Sequence, residues 1–223
     1  MGYSAAQARL IAGPVQGSEN ASSAARSLIL KAEKALNAGN LSEARSALEK
    51  VLEKDPHSAS AYLMLGTMEL QAGDLRASRV DLWQATRLDP NCFGCHYNLA
   101  LALLHEANWR EAALELKRAL ALNPRSSDAL YNLGLTLLEL GSPAQASIEL
   151  RKAWGLDSKR PDVAFNLIRA ELAAREFAQA QEAAEQAQKI FGSDSKWLTS
   201  IGQLFIQAGI SRAAVVCLLQ DAR

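Results

Sequence analysis

The segment Cys92-Phe93-Gly94-Cys95-His96 holds the residues whose types and spacing come closest to known chemistry. Two cysteines separated by two residues and followed directly by a histidine form the pattern that attaches a c-type haem. The same side chains are also zinc ligands, and a cysteine pair at a helix N-terminus can act as a redox dithiol because the helix stabilises a thiolate. The remaining alternative is an inert, partly buried pair of cysteines. The elements around the segment decide between these chemistries.

The segment lies inside an internal repeat of 34 residues. Pro56, Pro90 and Pro124 each end a similar short sequence motif, and each lies 34 residues after the one before it. A frame of that length beginning at Ala25 gives five complete repeats and a sixth that stops at Arg223. The repeats begin at residues 25, 59, 93, 127, 161 and 195. A period of this length is typical of stacked supersecondary units.

Small and large residues recur at fixed positions of the repeat. Position 8 holds a small residue in every repeat except repeat 5: Ala32, Gly66, Ala100, Gly134, Ile168 and Gly202. Position 24 holds leucine in every repeat except repeat 5: Leu48, Leu82, Leu116, Leu150, Ala184 and Leu218. This pattern indicates two helices that approach closely at the small residues, with large apolar residues filling the space beside them.

Each repeat is predicted to form helix A over positions 2 to 14 and helix B after a short turn. Position 15 is glycine in four repeats, which suits the left-handed residue that ends a helix. Position 16 carries a good N-cap in the first four repeats: Asn40, Asp74, Asn108 and Ser142. Glu43, Glu111 and Gln145 complete capping boxes with three of these residues. Because helices this short are marginal alone, the stack is expected to form one cooperative array.

The array resembles the tetratricopeptide repeat family. The resemblance is carried by YNLGLTLLELG at 131–141, YNLALALL at 97–104, the alanine at position 20 and the proline at position 32. It covers residues 25–223 and implies an all-α fold, a right-handed superhelical solenoid of antiparallel helix pairs. Residues 1–24 are expected to form an N-terminal linker or a short helix. Since the sixth repeat stops inside helix B, we expect the chain to be part of a longer protein.

The repeat frame argues against haem and zinc at the cysteine pair. His96 falls at an inward-facing position of helix A, and stacked repeats on both sides leave little room for a macrocycle. His105 is nine residues further along the same helix, about 13 Å away, so the two histidines cannot share one zinc ion. The frame therefore favours an inert cysteine pair, and no cofactor or metal is predicted.

Composition and motifs exclude several function classes. Lys plus Arg and Asp plus Glu each number 24, so no basic excess indicates binding to nucleic acid or to an anionic membrane. No apolar stretch approaches the roughly 18 residues of a membrane-spanning helix. No Ser/His/Asp arrangement, phosphate-binding glycine loop or zinc-protease helix is present, so an enzyme is not expected. A cytoplasmic location is expected, or a periplasmic one if a signal peptide has been removed.

The family resemblance implies that the concave face, lined by helices A, binds proteins or extended peptides. The predicted peptide-binding residues are Tyr97, Tyr131 and Phe165 at position 5, Met64, Asn98, Asn132 and Asn166 at position 6, and Leu101, Leu135 and Arg169 at position 9. An asparagine amide both donates and accepts, so it can pair with a peptide group without reading the side chain. The alternative is that the asparagines bond within the array and the aromatic rings pack against neighbouring helices.

The charged residues on helices A indicate which kinds of peptide the predicted site is expected to bind. The positions at which a carboxylate clamp for acidic C-terminal tails needs lysine and arginine hold other residues, so that mode is not expected. Asp128 and Asp162 at position 2 favour a ligand with some positive charge instead. The sequence thus predicts a non-catalytic protein- or peptide-binding scaffold. The alternatives are a recruiting segment of a larger enzyme or of a secretion or assembly factor, and an adaptor that works through its convex face or its ends.

Overall fold

The computed structural model describes residues 23–192 and 195–210, and every regular element in these ranges is an α-helix. The chain forms two compact units, unit 1 (Met1–Pro124) and unit 2 (Arg125–Arg223). Unit 1 contains α1 (Ser23–Asn37), α2 (Leu41–Lys54), α3 (Ala59–Ala72), α4 (Leu75–Leu88), α5 (Phe93–His105) and α6 (Trp109–Leu122). Unit 2 contains α7 (Ser127–Glu139), α8 (Pro143–Leu156), α9 (Pro161–Ala173), α10 (Phe177–Phe191) and α11 (Ser195–Gln207).

Five of the six predicted helix pairs are confirmed, and the second helix of the sixth repeat lies outside the described residues. Within unit 1, α1 packs on α2, α3 on α4 and α5 on α6; within unit 2, α7 packs on α8 and α9 on α10. Each helix A begins and ends within three residues of positions 2 and 14 of its repeat. The expected linker at residues 1–24 lies outside the described residues except for Ser23 and Ala24, with which α1 begins. The cooperativity of the whole array stays a prediction.

The small residue at position 8 is required by contact with helix B. A Cβ atom added at Gly66 would lie 2.6 Å from the Cγ atom of Leu82, and one at Gly134 would meet Leu150 in the same way. In repeat 5 the large residue lies on helix A and the small one on helix B. These residues are Ile168 in α9 and Ala184 in α10, and both are fully buried. The space between the paired helices is therefore filled from helix B in repeats 2 and 4, and from helix A in repeat 5.

The turn after helix A is left-handed even where glycine is absent. Gly39, Gly73 and Gly141 have φ of 75°, 82° and 70° at position 15. Ala107 and Arg175 occupy the same position and adopt φ of 57° and 61°. Because a left-handed φ is unfavourable for a residue with a Cβ atom, the geometry at these two turns is imposed by the helices that they connect.

The prediction of side-chain caps on helices B was wrong at three of four positions. Only Asp74 caps its helix, accepting a hydrogen bond from the Ala77 N–H at 3.1 Å, whereas Asn40, Asn108 and Ser142 make no such bond. Asn40 and Asn108 have nearly the backbone angles of Asp74, so the backbone does not account for the difference. Helices A are capped instead by residues at position 34: Ser58, Cys92 and Ser126.

Candidate peptide-binding face

The predicted binding residues of α5 are buried in unit 1. The Asn98 side chain is fully buried and donates from Nδ2 to the Thr67 hydroxyl at 2.9 Å, which joins α5 to α3. Tyr97 and Leu101 are also fully buried, and the Tyr97 ring stacks on Phe93 with centroids 5.7 Å apart. These three side chains expose no surface to a ligand in this arrangement. Met64, on α3, is partly buried against the core of α1, α2 and α3.

The equivalent residues of unit 2 divide into a buried set and a partly exposed set. Tyr131 and Asn132 on α7 are buried, with 2% and 3% of their surfaces exposed. The partly exposed set comprises Leu135, Phe165, Asn166 and Arg169. Three of these four lie on α9, at positions 5, 6 and 9, so they fall within four residues of one another along a single helix.

Asn166 keeps one hydrogen-bonding atom for a ligand. Its Nδ2 donates to the Tyr131 hydroxyl oxygen at 3.0 Å and to the Asp162 carbonyl at 2.9 Å, so both amide hydrogens are used. The Oδ1 atom receives no hydrogen bond from any residue that the structure describes. These two bonds hold the amide plane in place. The arrangement therefore presents a fixed, partly exposed acceptor that an N–H group of a peptide can reach.

Arg160, which sequence reasoning missed, organises this part of unit 2. Its Nη1 lies 2.6 Å from Asp128 Oδ1 and its Nη2 lies 2.7 Å from Asp162 Oδ2. The guanidinium carbon also lies 4.8 Å from the centre of the Tyr131 ring. Burial alone would lower the pKa of Arg160, but Asp162 and Asp128 together raise it, so the guanidinium stays charged. The available signal was spacing, since Arg160 lies two residues before Asp162 and 32 after Asp128.

Arg160 binds both of the carboxylates, Asp128 and Asp162, that were expected to favour a basic ligand. One guanidinium balances only one of the two negative charges, so the preference for a basic ligand stays a prediction. Arg169, by contrast, forms no salt bridge with any described residue and is partly exposed. Burial, and next the charge of Asp162, raises the pKa of Tyr131 to about 12, so the phenol stays neutral beside Asn166.

The cysteine–histidine segment is closed to the chemistry that its spacing suggests. Cys92 and Cys95 form a disulfide, and both are buried. His96 Nδ1 lies 2.6 Å from Glu115 Oε2, and Nε2 lies 3.1 Å from the Pro90 carbonyl, so both ring nitrogens are engaged by oxygen atoms. While the disulfide is formed, neither sulfur can form a thioether or bind a metal. No group of three or more potential metal ligands occurs among residues 23–192 and 195–210.

None of the helices in the described part of the chain is both long enough and apolar enough to cross a membrane. His96 and Glu115 are held by partners in unit 1, and Asp128 and Asp162 by Arg160 in unit 2. The face of α9 around Asn166 is thus the part of the predicted site that combines exposure, a free acceptor and an unpaired cation.

Comparison with known proteins agrees with the helix pairs. A sequence model of the tetratricopeptide repeat matches residues 29–91 and 97–161. No curated protein sequence matches the chain. Among solved structures, MamA has 22% identity and a TM-score of 0.69, covering 78% of this chain and 94% of its own. PilF of Pseudomonas aeruginosa has 24% identity and a TM-score of 0.66, covering 89% and 91%.

A third solved structure, that of YrrB, has 16% identity and a TM-score of 0.67, covering 79% of this chain and 92% of its own. At these identities the likeness concerns the fold, and it confirms the all-α tetratricopeptide architecture predicted from the repeat. The sequence match spans more than half of the 223 residues. The chain belongs to the tetratricopeptide repeat family, whose members are typically non-catalytic scaffolds that bind proteins or peptides.

Proposed function

We propose that the chain is a non-catalytic scaffold that binds an extended segment of a partner protein, and that α9 of unit 2 supplies the central contact. The observation that carries this proposal is the fixed, partly exposed Oδ1 acceptor of Asn166. A backbone N–H of the peptide ligand donates a hydrogen bond to this atom. The bond holds the ligand whatever its side chains are. YrrB, described as a protein with an unusual peptide-binding site, supports peptide recognition by this fold.

The neighbours of Asn166 set the preference of the site. Phe165 supplies partly exposed aromatic area for an apolar side chain of the ligand. Arg169, one turn away from Phe165 and without a salt bridge among the described residues, favours a carboxylate or carbonyl oxygen. The ligand therefore combines an apolar side chain with a neighbouring acidic one. In this proposal Tyr97, Asn98 and Leu101 support the array by packing, and Tyr131 and Asn132 support α9 from α7.

A peptide array tests the proposal. Immobilised 12-residue peptides of varied sequence are incubated with wild-type protein and with the variants Asn166→Ala, Arg169→Glu and Asn98→Ala. Peptides bound by the wild type should be enriched in Asp and Glu beside an apolar residue. Their affinity should fall about tenfold with Asn166→Ala, which removes one neutral hydrogen bond, and about tenfold or more with Arg169→Glu, which removes a charge-assisted one. Asn98→Ala is the matched control from unit 1 and should bind normally wherever it remains folded.

Two results would overturn this function. Bound peptides enriched in Lys and Arg would contradict the role of Arg169. Undiminished binding by the folded Asn166→Ala variant would show that α9 is not the contact.

The Cys92–Cys95 disulfide bears on the compartment. Disulfides persist in oxidising compartments and are rare in the cytosol. We propose on this ground that the chain functions outside the reducing cytosol, in place of the cytoplasmic location expected from the sequence. Alkylation of the protein in intact cells, followed by mass measurement, tests this. Two unmodified cysteines support the proposal, and three alkylated ones contradict it.

A further inference from the structure

A groove lies on unit 1, and none of its lining residues belongs to the binding site proposed on α9. It has a volume of about 480 Å³ and is lined by residues of three helices. Val80 and Trp83 on α4 form one wall and Leu114 on α6 forms the other. Leu99 and Leu103 on α5, each 3% exposed, form the floor.

The walls of the groove are exposed apolar side chains. Val80, Trp83 and Leu114 are 52%, 50% and 49% exposed. Large apolar side chains clustered around a concave surface mark a binding site more often than scattered ones do. The guanidinium carbon of Arg87 lies 4.8 Å from the centre of the Trp83 ring, and this cation–π contact orients the indole.

The floor of this groove differs from the equivalent surfaces over α3 and α9. Position 11 of helix A is a buried glutamate in α3 (Glu69) and in α9 (Glu171), whereas in α5 it is Leu103. Arg45 on α2 reaches Glu69, and Arg151 on α8 reaches Glu171, so an arginine crosses the floor in each case.

Over α5 the arginine that corresponds to Arg45 does not cross the floor and pairs with a different carboxylate. Arg79, which has the repeat position of Arg45, forms its salt bridge with Glu106, at the end of helix α5, with 2.9 Å between Nε and Oε2. With leucine at position 11 there is no carboxylate to draw it across the floor. The substitution of one residue in the repeat thus leaves an apolar floor at Leu103, while Arg79 remains among the lining residues of the groove.

The groove has one uncompensated charge at its edge. Both oxygens of Glu115 are engaged, Oε2 by His96 and Oε1 by Arg118, each at 2.6 Å. Glu111, one turn earlier on α6, is exposed and has no ion pair with any described residue. A ligand with a cation opposite Glu111 is therefore favoured over one with an anion there.

We propose that this groove binds an amphipathic helix of a partner protein, whose apolar row is flanked by a lysine or arginine that faces Glu111. Two helices form the walls and a third forms the floor, so a further helix inserts apolar residues spaced i, i+3, i+4 and i+7 between them. The indole of Trp83 is the largest anchor of the site, and tryptophan is enriched among the residues that dominate binding.

The test uses two fluorescent synthetic helices that share a leucine row and differ only in flanking Lys or Glu. Affinities are measured by anisotropy with the full chain. The Lys probe should bind about tenfold more tightly than the Glu probe, and Glu111→Lys should reverse that order, as expected for one close charge pair. Leu114→Glu should weaken the Lys probe about tenfold or more, because it puts a charge among apolar anchors. Circular dichroism confirms that each variant is folded.

Ile148→Glu is the matched control. Ile148 has the repeat position of Leu114 and is 55% exposed on α8, beside the surface that Arg151 and Glu171 close. This variant, and Asn166→Ala in the α9 site, should bind the Lys probe normally, which separates this inference from the proposed function. The inference is overturned if neither probe binds, or if Leu114→Glu has no more effect than Ile148→Glu. It is also overturned if light scattering shows a wild-type dimer that Leu114→Glu dissociates, since the occupant is then a second copy of the chain.

Discussion

Asn98 in unit 1 and Asn166 in unit 2 occupy the same position of the repeat and have different surroundings. Asn98 is fully buried, and its amide bonds to the Thr67 hydroxyl at 2.9 Å. Asn166 is partly exposed, and its amide bonds to the Tyr131 hydroxyl at 3.0 Å. In both units the amide joins helix A to the helix A before it. The repeat position thus predicts the direction of the bond, and the neighbouring side chains decide whether any of the amide remains for a ligand.

The packing of helix A on helix B gives the largest expected difference between the units. Replacing Ile168 by alanine should cost about 2–5 kcal/mol of the free energy of unfolding, because Ala184 opposite cannot fill the space. Adding Ala184→Leu recreates the alanine–leucine pair found at Ala32 and Leu48 in unit 1 and should recover part of that loss. Urea unfolding of both single variants and the double variant measures the coupling. Additive losses would show that the sizes at these positions are independent.

The two asparagines should differ in their effect on stability. Asn98→Ala should cost about 1–3 kcal/mol, since it removes a buried hydrogen bond and leaves the Thr67 hydroxyl oxygen without its donor. Asn166→Ala should cost about 1 kcal/mol or less, because the Asn166 side chain is partly exposed and water can enter the space that it leaves. Urea denaturation of both variants measures the order. A larger loss at Asn166 would contradict the division into a structural and a binding asparagine.

Stability should also depend on pH in both units. Burial, and next the charge of Glu69, raises the pKa of Asp81 in unit 1 from 3.8 to about 6. In unit 2 burial raises the pKa of Glu171 from 4.5 to about 7, although Arg151 lowers it in part. Each carboxyl holds its proton more tightly in the folded state, so its contribution to stability is lost as the pH rises through these windows.

Removal of the titrating groups isolates these contributions. Asp81→Asn should flatten the pH dependence of the unfolding free energy between pH 4 and 6, and Glu171→Gln between pH 4.5 and 7. Urea unfolding of each variant and of the wild type at half-unit pH intervals gives the slopes. A wild type whose stability rises through both windows, with slopes that neither variant changes, would contradict the direction of both pKa shifts.

The helix pairs could be predicted from the sequence because they depend on residues that the repeat places at regular positions. The small residue at position 8 and the large one at position 24 predicted which helices pack together. At Ile168 and Ala184 the two sizes are exchanged, so the space between the helices is still filled. The burial of Asn98 and Leu101 was not predicted, because it depends on the volumes of neighbouring side chains, which a single repeat position does not specify.

The parts of the site that the sequence did not predict lie between helices. Arg160 stands just before α9, outside the positions from which binding residues were chosen, and acts by pairing with two aspartates from adjacent repeats. The apolar groove arises from the replacement of a buried glutamate by Leu103, whose effect is to change the partner of Arg79. Both depend on a pair of side chains from different positions of the repeat, Arg160 with Asp128 and Arg79 with Glu106, and the residue type at a single repeat position does not show such a pair.

The smallest expected effects are at the turns, where the two units should respond alike. Ala107 in unit 1 and Arg175 in unit 2 have left-handed φ of 57° and 61°, which glycine adopts without strain. Ala107→Gly and Arg175→Gly should therefore each raise the unfolding free energy by about 0.5 kcal/mol, the strain relieved being partly offset by the greater freedom of glycine in the unfolded chain. Gly73→Ala, at a turn with φ of 82°, is the reverse substitution and should lower stability by about 1 kcal/mol. Thermal unfolding followed by circular dichroism measures all three. Destabilisation by both glycine variants would mean that the Cβ atoms at these turns make contacts that outweigh the backbone strain.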